Sequence, residues 1–566
     1  MIASRPNIFA IVAPIVLAFV GMGLSIHGWY REAHGHIFLS DLLYKALRCI
    51  GLSDAYADVG RDGQIELNIA RWIGVIVAFW AVLTLFYVGL RRTRIHLTAR
   101  LRRRHIVVVG DTPFADHLSE AAAIRQVRVI QLRDDTVADS RGKLIQLPYA
   151  ASDSSALIAA HAGRARRLVI AVDNDAEAAD LAMAAQGRFP HLDVTTRMTD
   201  LWLARSLHSL PGAETLRAFT EANAAAREIV RRHPPFLTAR DLGQARIHSV
   251  LVGAPDWIEA LMVEVILSAC TLTFGKPAFT FICADPDGFR ERLFARYPDL
   301  SAAAFISVYP GTDNAHAPLT PRHVEELTRQ GPVTGLYCAL EDEAASLAAA
   351  VALRHMVMRD GQFTAPIFVR ISGQGMERSV AGSRLEAHAL VPFGALSDIA
   401  RATGIISVHG EQAEKAWHKA YLAFAPNDKA AAKPWAELSE EFRVSNQRAV
   451  GHMYAKLFEA GFDLRGWLAK HDPWEELPSL AKGEVHLWRN TDERTRLAEL
   501  EHERWIADRR MSGWVGGGAR DNVRKIHDNI VPFDTLSDEL KDYDYQFVDL
   551  LDKILKRSTD GMRRVD

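Results

Sequence analysis

The segment EHERWIADRRMSGWVGGGARDN, residues 501–522, concentrates side chains that could catalyse a reaction, hold a metal or bind a ligand. It places His502 between two glutamates and adds two tryptophans, four arginines and three consecutive glycines. A helical metal site needs a second ligand about one turn away, and the next histidine after His502 is His527. The spacing therefore argues against a metal centre, and no catalytic residue is predicted.

The aromatic and basic residues of this segment suit a ligand pocket. On a helix, Glu501 shares a face with Trp505, and His502 shares one with Arg509. Aromatic rings and guanidinium groups together can recognise a base and a phosphate. The alternative is two core tryptophans surrounded by solvated charges, and the pattern alone favours that alternative. The predicted ligand-binding residues are His502, Arg504, Trp505, Arg509, Trp514, Arg520, His527 and Tyr543.

Length and charge limit the class of protein. A chain of 566 residues exceeds a single hydrophobic core and predicts several domains. A net charge of −2 gives no overall electrostatic attraction for nucleic acid, which is therefore not an expected partner. The four cysteines lie far apart without metal-ligand spacing, so neither a disulfide framework nor a zinc site is expected.

Two apolar segments predict a transmembrane hairpin in residues 1–104. No acidic residue, lysine or arginine lies between Arg5 and Arg31, or between Trp72 and Leu90. Either segment could cross a hydrocarbon core of about 30 Å as a helix, and the first is too long for a typical signal peptide. Seven arginines and no acid follow the second segment, in residues 91–104. This excess predicts the inner (cell) membrane, with both termini and all large domains cytoplasmic and with lipid headgroups as partners.

The loop between the two segments contains a further helical pattern. Ser40 is a candidate N-cap, and apolar residues at helical spacing follow it up to Ile50. A short helix between two spans is typical of a pore, and the alternative is an interfacial helix on the outer leaflet. No TVGYG-like string follows, so a potassium filter is not predicted.

Residues 105–235 alternate buried-strand and amphipathic-helix patterns, which predicts a doubly wound parallel sheet. In its first loop, Gly110, Thr112 and Ala115 occupy the three small-residue positions of a G-x-G-x-x-G motif. Thr112 replaces the glycine that lets the backbone approach a pyrophosphate, which weakens the case for a dinucleotide. Asp134 and Asp135 end the second strand, where an acid could hold a ribose hydroxyl.

The strings HIVVVG, VIQLRDD, LIQLPYAASD and LVIAVDNDAEAADLAMAAQ resemble the RCK/TrkA-N domains that regulate potassium channels and transporters. The resemblance implies a nucleotide or ion site at the strand ends, with NAD or another nucleotide as cofactor. By resemblance, the first candidates are Gly110, Thr112, Asp134 and Asp153. It also implies that neighbouring domains pair and that the protein is a homo-oligomer, a dimer or a tetramer.

A second, degenerate copy of this pattern occupies residues 245–425. ALEDEAASLA repeats the acidic turn of AVDNDAEAADLA, and Pro255 removes an amide that could hold phosphate. This copy is predicted to be a structural, pairing domain, with Asp285 as a minor candidate. Neither copy contains a nucleophile elbow, a P-loop lysine or an HExxH motif, so the chain is predicted not to be an enzyme.

Residues 434–566 are predicted to be mainly helical, with Ser445 and Asn446 polar within an apolar pattern. The region resembles the RyR domain, the repeat named for ryanodine receptors. The resemblance rests on His502, Trp505, the pair Gly513-Trp514, His527, VPFDTL and KDYD. It implies a sensor of small ligands. The glycine triplet departs from the family, which usually has an aromatic residue near this position, and it predicts a looser pocket.

The predicted fold class is therefore α/β, with a transmembrane hairpin, two tandem Rossmann-like domains and a mainly α RyR-like domain. The predicted function is a membrane-anchored cytosolic sensor of a nucleotide-like small molecule, acting as a channel or as a regulator of ion transport. Two alternatives remain open: a membrane-bound NAD-dependent enzyme, and the regulatory subunit of a separate transporter.

Overall fold

The computed structural model describes residues 8–33, 36–50, 64–134, 138–148, 154–311, 332–359, 365–373, 390–405, 412–424, 432–435 and 437–565. The chain forms two compact units, Met1–Leu101 and Arg102–Asp566. The predicted fold class is confirmed in both: the first unit contains apolar helices, and the second contains two parallel sheets followed by a mainly helical region.

The first unit contains the helices α1 (Ile8–Glu32), α2 (Leu39–Ile50) and α3 (Gln64–Leu101). Two windows, Ala13–Glu32 and Ile65–Thr84, are long and apolar enough to cross a membrane. Only 22% and 17% of these windows is buried, so most of their apolar side chains face outward. A core helix of a water-soluble protein would bury most of that surface.

Small residues allow α1 and α3 to approach closely. A Cβ added at Gly28 would lie 2.7 Å from Leu67 Cγ, and one added at Gly21 would lie 2.8 Å from Ile73 Cγ2. Glycines seven residues apart lie on one helix face, which is the usual device for close helix packing in membranes. Helix α2 packs against both long helices, with Leu42 buried beside Leu67.

Helix α3 is 38 residues long, or about 57 Å at 1.5 Å per residue. It continues through the basic segment as far as Leu101. The predicted lipid-binding role is wrong for Arg102, which is 7% exposed. Its Nη1 donates to the carbonyls of Val129, at 2.7 Å, and Lys143, at 2.6 Å, and burial lowers its pKa to about 10.

The first Rossmann-like unit is a seven-stranded sheet with the strand order β3-β4-β2-β1-β5-β6-β7. All neighbouring strands are parallel except β3 and β4. Its strands are β1 (Ile106–Val109), β2 (Val129–Arg133), β3 (Asp139–Arg141), β4 (Leu144–Pro148), β5 (Arg167–Ile170), β6 (Asp193–Met198) and β7 (Arg217–Thr220). Its helices are α4 (Pro113–Ile124), α5 (Ser154–Ala159), α6 (Asp175–Arg188), α7 (Leu201–Ser206) and α8 (Glu221–Arg232), and α9 (Pro235–Asp241) follows.

The second Rossmann-like unit is a parallel six-stranded sheet with the order β10-β9-β8-β11-β12-β13. This order equals β4-β2-β1-β5-β6-β7 of the first unit, so the internal repeat extends to the topology. Its strands are β8 (His248–Gly253), β9 (Ala278–Cys283), β10 (Phe305–Pro310), β11 (Gly335–Ala339), β12 (Ile367–Arg370) and β13 (Leu390–Phe393). Its helices are α10 (Pro255–Ser268), α11 (Pro286–Arg296), α12 (Leu300–Ala303), α13 (Glu343–Arg359) and α14 (Leu396–Ala402). Asp285 caps α11 by accepting from Gly288 N at 3.0 Å.

Equivalent glycines end the first strand of each unit. Gly110 has φ +127°, and a Cβ there would lie 2.1 Å from Ala171 O. Gly253 has φ +140°, and a Cβ there would lie 2.2 Å from Ala339 O. Both positions therefore require glycine, because a side chain would be strained and would collide with the neighbouring strand.

The acidic turn that both repeats share has a structural function. Asp175 begins α6 and accepts hydrogen bonds from Thr199 N at 2.7 Å and Asp200 N at 2.9 Å. Its counterpart Glu343 begins α13 and accepts from Gly373 N at 3.3 Å and from the Ser372 hydroxyl. In each unit a helix-starting carboxylate thus holds the turn after the next strand, and the repeated motif does not by itself indicate a ligand site.

The two Rossmann-like units pack as pseudo-symmetric partners. The first helix of each unit contacts the last helix of the other, α4 with α14 and α10 with α8, and α8 also contacts α14. Arg167 strengthens the junction by donating from Nη1 to the carbonyls of Gly404, at 3.1 Å, and Ile405, at 3.2 Å. One chain therefore contains both members of a domain pair.

The C-terminal region is mainly helical and shares one continuous hydrophobic core with both Rossmann-like units. Two short parallel strand pairs, β14 (Leu480–Ala481) with β17 (Arg557–Ser558) and β15 (Val515–Gly516) with β16 (Ile526–His527), complete it. Its helices are α15 (Gln412–Phe424), α16 (Glu440–Gly451), α17 (Met453–Glu459), α18 (Leu464–Leu468), α19 (Thr491–Arg510) and α20 (Asp538–Ile554).

Candidate functional site in the C-terminal region

Helix α19 positions most of the predicted ligand-binding residues. It begins where Asn490 accepts a hydrogen bond from Glu493 N at 2.9 Å, which satisfies one of the free amides of the first turn. It ends at Arg510 and is followed by Gly513, whose φ of +82° provides a left-handed turn. This turn directs the chain back, so that Trp514 lies beside the helix it has just left.

One face of α19 holds a buried ion network. Glu501 is 1% exposed, forms an ion pair with Lys456 Nζ at 2.7 Å and accepts a hydrogen bond from Arg504 Nη2 at 2.7 Å. Burial alone would raise the pKa of Glu501, but the two cations outweigh it and hold that pKa at about 2. Glu501 is therefore ionised and paired at neutral pH, and it fastens α19 to α17.

The network continues along the helix and limits what Arg504 can do. Arg504 is 3% exposed, and its Nη1 lies 3.7 Å from Asp508, which in turn pairs with Arg448 of α16. Arg504 lines a cavity, but its guanidinium already donates hydrogen bonds to Glu501. We assign Arg504 to positioning the cavity wall, and the bridge to α16 makes that wall rigid.

His502 occupies the opposite side of α19. Its Nε2 lies 2.9 Å from Val531 O, and its Nδ1 lies 3.4 Å from Asp544 Oδ2. A carbonyl only accepts, so Nε2 must carry a proton, and Nδ1 can donate to Asp544 only if the ring is charged. Burial works against that charge, but the bonds to Asp544 and Val531 outweigh it and raise the pKa of His502.

Seven of the eight predicted ligand-binding residues meet around a cavity of about 380 Å³. Trp505 stacks near His502, with 5.7 Å between ring centroids, and meets His527 edge-on at 4.9 Å. Tyr543 lies on the rim and is 53% exposed. Ser445 and Asn446, the polar residues within the apolar pattern of α16, also line it. The seven predicted residues are His502, Arg504, Trp505, Arg509, Arg520, His527 and Tyr543.

The far wall of this smaller cavity is aromatic and was not predicted from the sequence. Trp417 and Tyr421 of α15 each stack on Phe547 of α20, at 5.7 and 6.0 Å and within 8° of parallel. The spacing of Trp417 and Tyr421, one helical turn apart, was a signal of a shared aromatic face. These rings line the same cavity as Trp505, and aromatic faces of this kind can bind a flat aromatic ligand.

The eighth predicted residue, Trp514, lines a larger cavity of about 890 Å³ next to the first. All three parts of the second unit contribute to its wall: Arg227 from the first Rossmann-like unit, Glu264 from the second, and Lys525 from the C-terminal region. Six residues line both cavities: Phe442, Ser445, Trp505, Arg509, Arg520 and His527.

In the predicted dinucleotide loop of the first Rossmann-like unit, polar groups are already used in hydrogen bonds within that unit. Thr112 donates to Ala171 O at 3.0 Å and accepts from Ala115 N at 3.2 Å. Pro113 has no amide proton, so the first helical turn has lost two donors that a pyrophosphate would use. Pro255 is the equivalent proline of the second copy, and Pro113 was not recognised as its counterpart from the sequence.

The remaining predicted residues of this loop are dispersed or undescribed. Ala115 is buried and packs its helix onto the sheet, and Asp134 is exposed just after β2. Asp135 and Asp153 lie outside the described residues. Among the described residues, no group of three or more histidine, cysteine, aspartate or glutamate side chains could hold a metal ion. The C-terminal cavities are therefore the better-formed site.

Residues 484–557 match the family model of the RyR domain, which confirms that domain in the C-terminal region. No curated protein matches the chain. Similar solved structures include GsuK bound to ADP. The two chains are 14% identical in sequence, the match covers 71% of this chain and 99% of that chain, and the TM-score is 0.39. The GsuK channel bound to NAD has 12% identity, 72% and 84% coverage and a TM-score of 0.38. The human SLO3 gating ring has 10% identity, 54% and 83% coverage and a TM-score of 0.38. These likenesses are distant, and the fold assignment rests on the strand orders described above.

Proposed function

We propose that this protein is a membrane-anchored sensor that binds a nucleotide-like molecule in its RyR domain and thereby regulates ion transport. The observation that carries the proposal is the smaller cavity, which combines stacked aromatic walls with Arg509 and Arg520. Aromatic faces bind a planar base, and guanidinium groups bind its phosphate.

The first unit supports the anchoring part of the proposal. Outward-facing apolar side chains along α1 and α3 need an apolar surrounding, which a bilayer supplies. The arginines between Arg91 and Arg100 would then lie at the cytoplasmic surface, as the positive-inside rule expects. In this arrangement the ligand-binding region lies in the cytoplasm.

We further propose that the chain binds its ligand without transforming it. His502, which stacks near Trp505 and could transfer a proton, is already bonded to Val531 and Asp544. The alternative of an NAD-dependent enzyme would need the first Rossmann-like loop to hold a pyrophosphate. Thr112, Pro113 and Ala115 leave that loop short of amide donors.

A binding measurement on the full chain in detergent tests the proposal. Isothermal titration with AMP, ADP, ATP, GTP and NAD should show saturable binding of at least one of them. Trp505→Leu should weaken that binding by roughly tenfold or more, because base–aromatic stacking contributes about 1–3 kcal/mol. Trp488→Leu is the matched control, since Trp488 lies in the same domain and lines neither cavity.

A flux assay then tests the transport part. The chain reconstituted in liposomes should change its ion conductance when the bound nucleotide is added, and Trp505→Leu should shift that response to higher concentration. Binding without conductance, together with co-purification of a larger membrane protein, would instead identify a regulatory subunit. If no nucleotide in the panel binds, the proposed function is wrong.

A further inference from the structure

The larger cavity is strongly basic. Among the described residues that line it are nine arginines and lysines and five carboxylates, an excess of four positive charges. The basic residues come from the first Rossmann-like unit and from the C-terminal region. Arg217 also pairs with Asp193 outside the lining, and a bound polyanion would stabilise the positive charge that is left.

Arg227 carries a charge with no direct partner among the described residues, although Glu264, Glu414 and Glu440 lie near enough to favour its charged form. It projects from α8 into the larger cavity, and no described residue accepts a hydrogen bond from its guanidinium or forms an ion pair with it. Burial lowers the pKa of Arg227, which means that its charged form is disfavoured where it lies. Neighbouring arginines differ, since Arg231 donates to the hydroxyl of Tyr454 and stacks 4.2 Å from Trp474.

Arg509 lies at the junction of the two cavities and is also incompletely paired. Its Nε is buried without a hydrogen-bond partner among the described residues, and its Nη1 is 3.7 Å from Glu441. Its guanidinium carbon lies 5.8 Å from the centre of the Trp505 ring. If the base of a nucleotide stacks near Trp505, Arg509 is therefore the first arginine that its phosphate would meet.

We infer that one ligand occupies both cavities: a nucleotide with several phosphates, whose base lies in the smaller aromatic cavity and whose phosphate chain extends past Arg509 and Arg520 towards Arg227. The inference rests on the proposed function and names its ligand class. Because Arg227 belongs to the first Rossmann-like unit, such a ligand joins the RyR domain to that unit. A monophosphate would fill the aromatic cavity and leave the contact with Arg227 unmade.

The test compares ligands of different length on the full chain in detergent, by isothermal titration with adenosine, AMP, ADP, ATP and inorganic tripolyphosphate, and with the guanine series. In the unmodified protein, affinity should rise with each phosphate and fall steeply with added salt. The triphosphate should bind at least about tenfold more tightly than the monophosphate, since charge-assisted hydrogen bonds are the strong ones.

Arg227→Met should remove most of that difference while leaving monophosphate affinity unchanged, and Arg227→Lys should restore part of it. Arg240→Met is the control, because Arg240 lies on the adjacent helix α9 and lines neither cavity. If mono- and triphosphate bind equally and both depend on Trp505, the inference is overturned and the proposed function stands. If tripolyphosphate alone binds as tightly as the nucleotide, the aromatic cavity is not part of the site and both fail. The phosphate series needs no variant, so it decides the question even if Arg227→Met does not fold.

Discussion

Replacing Glu501 with glutamine should lower the free energy of local unfolding of α19 by about 3 kcal/mol. The ordinary pKa of this carboxyl is 4.5, and the surrounding cations hold it at about 2 in the folded protein. Since one pH unit corresponds to about 1.4 kcal/mol, the fold favours the charged form by about 3 kcal/mol. Removing one partner of a buried pair typically costs about 3–5 kcal/mol, which agrees. Glutamine would replace the carboxylate that Lys456 and Arg504 share with a neutral side chain, and of the described residues only Asp508, 3.7 Å from Arg504 Nη1, would still oppose their charges directly.

Hydrogen exchange measures this effect locally, which matters because a multidomain chain does not unfold in one step. Amides of Thr491–Arg510 should lose roughly a hundredfold in protection in Glu501→Gln, which corresponds to about 3 kcal/mol. Glu503→Gln is the matched control: burial raises the pKa of Glu503, so removing its charge should leave protection unchanged or increase it. A loss below threefold in Glu501→Gln, or equal losses in both variants, would refute the account of the buried network.

The other predictions concern separate parts of the chain. Gly110→Ala should prevent correct folding of the first Rossmann-like unit, since the new Cβ would lie 2.1 Å from Ala171 O at φ +127°, whereas Gly187→Ala, in open space on α6, should raise the melting temperature slightly. Thermal scans of both variants against the unmodified chain will show whether destabilisation depends on the position of the glycine or follows from the loss of any glycine. Gly28→Val should destabilise the helical hairpin by about 1–3 kcal/mol through its clash with Leu67, and Gly23→Val, which meets nothing within 4 Å, should not; equal melting shifts in detergent would contradict this. The raised pKa of His502 means that its contribution to stability is complete below about pH 6.5 and is lost as pH rises through the higher folded pKa, so melting temperature should fall across that range and His502→Gln should flatten the profile.

The repeat and the apolar helices could be predicted because they depend on local pattern. Two series of buried strands in the same order, each with a glycine after the first strand, define a doubly wound sheet wherever they occur. Gly110 was recognisable as a small-residue position of the first loop, and the structure adds the reason: only glycine fits a positive φ against a neighbouring strand.

The composition of the cavities could not be predicted from the sequence alone, because it depends on distant segments that meet in the fold. Trp417 was assigned to the end of the second copy, and nothing local shows that α15 packs against α20. Arg227 lies almost three hundred residues before Trp505, although both line the larger cavity. Arg102 belonged to a run of arginines, and only the structure separates it from the exposed members.

The pairing of the two Rossmann-like units fixes how many ligands an assembly can hold. Each chain supplies both members of its pair, but a RyR domain follows only the second member. An assembly of four chains would contain eight Rossmann-like units and four pairs of C-terminal cavities. The proposed function therefore predicts saturation at one nucleotide per chain, and not one per Rossmann-like unit.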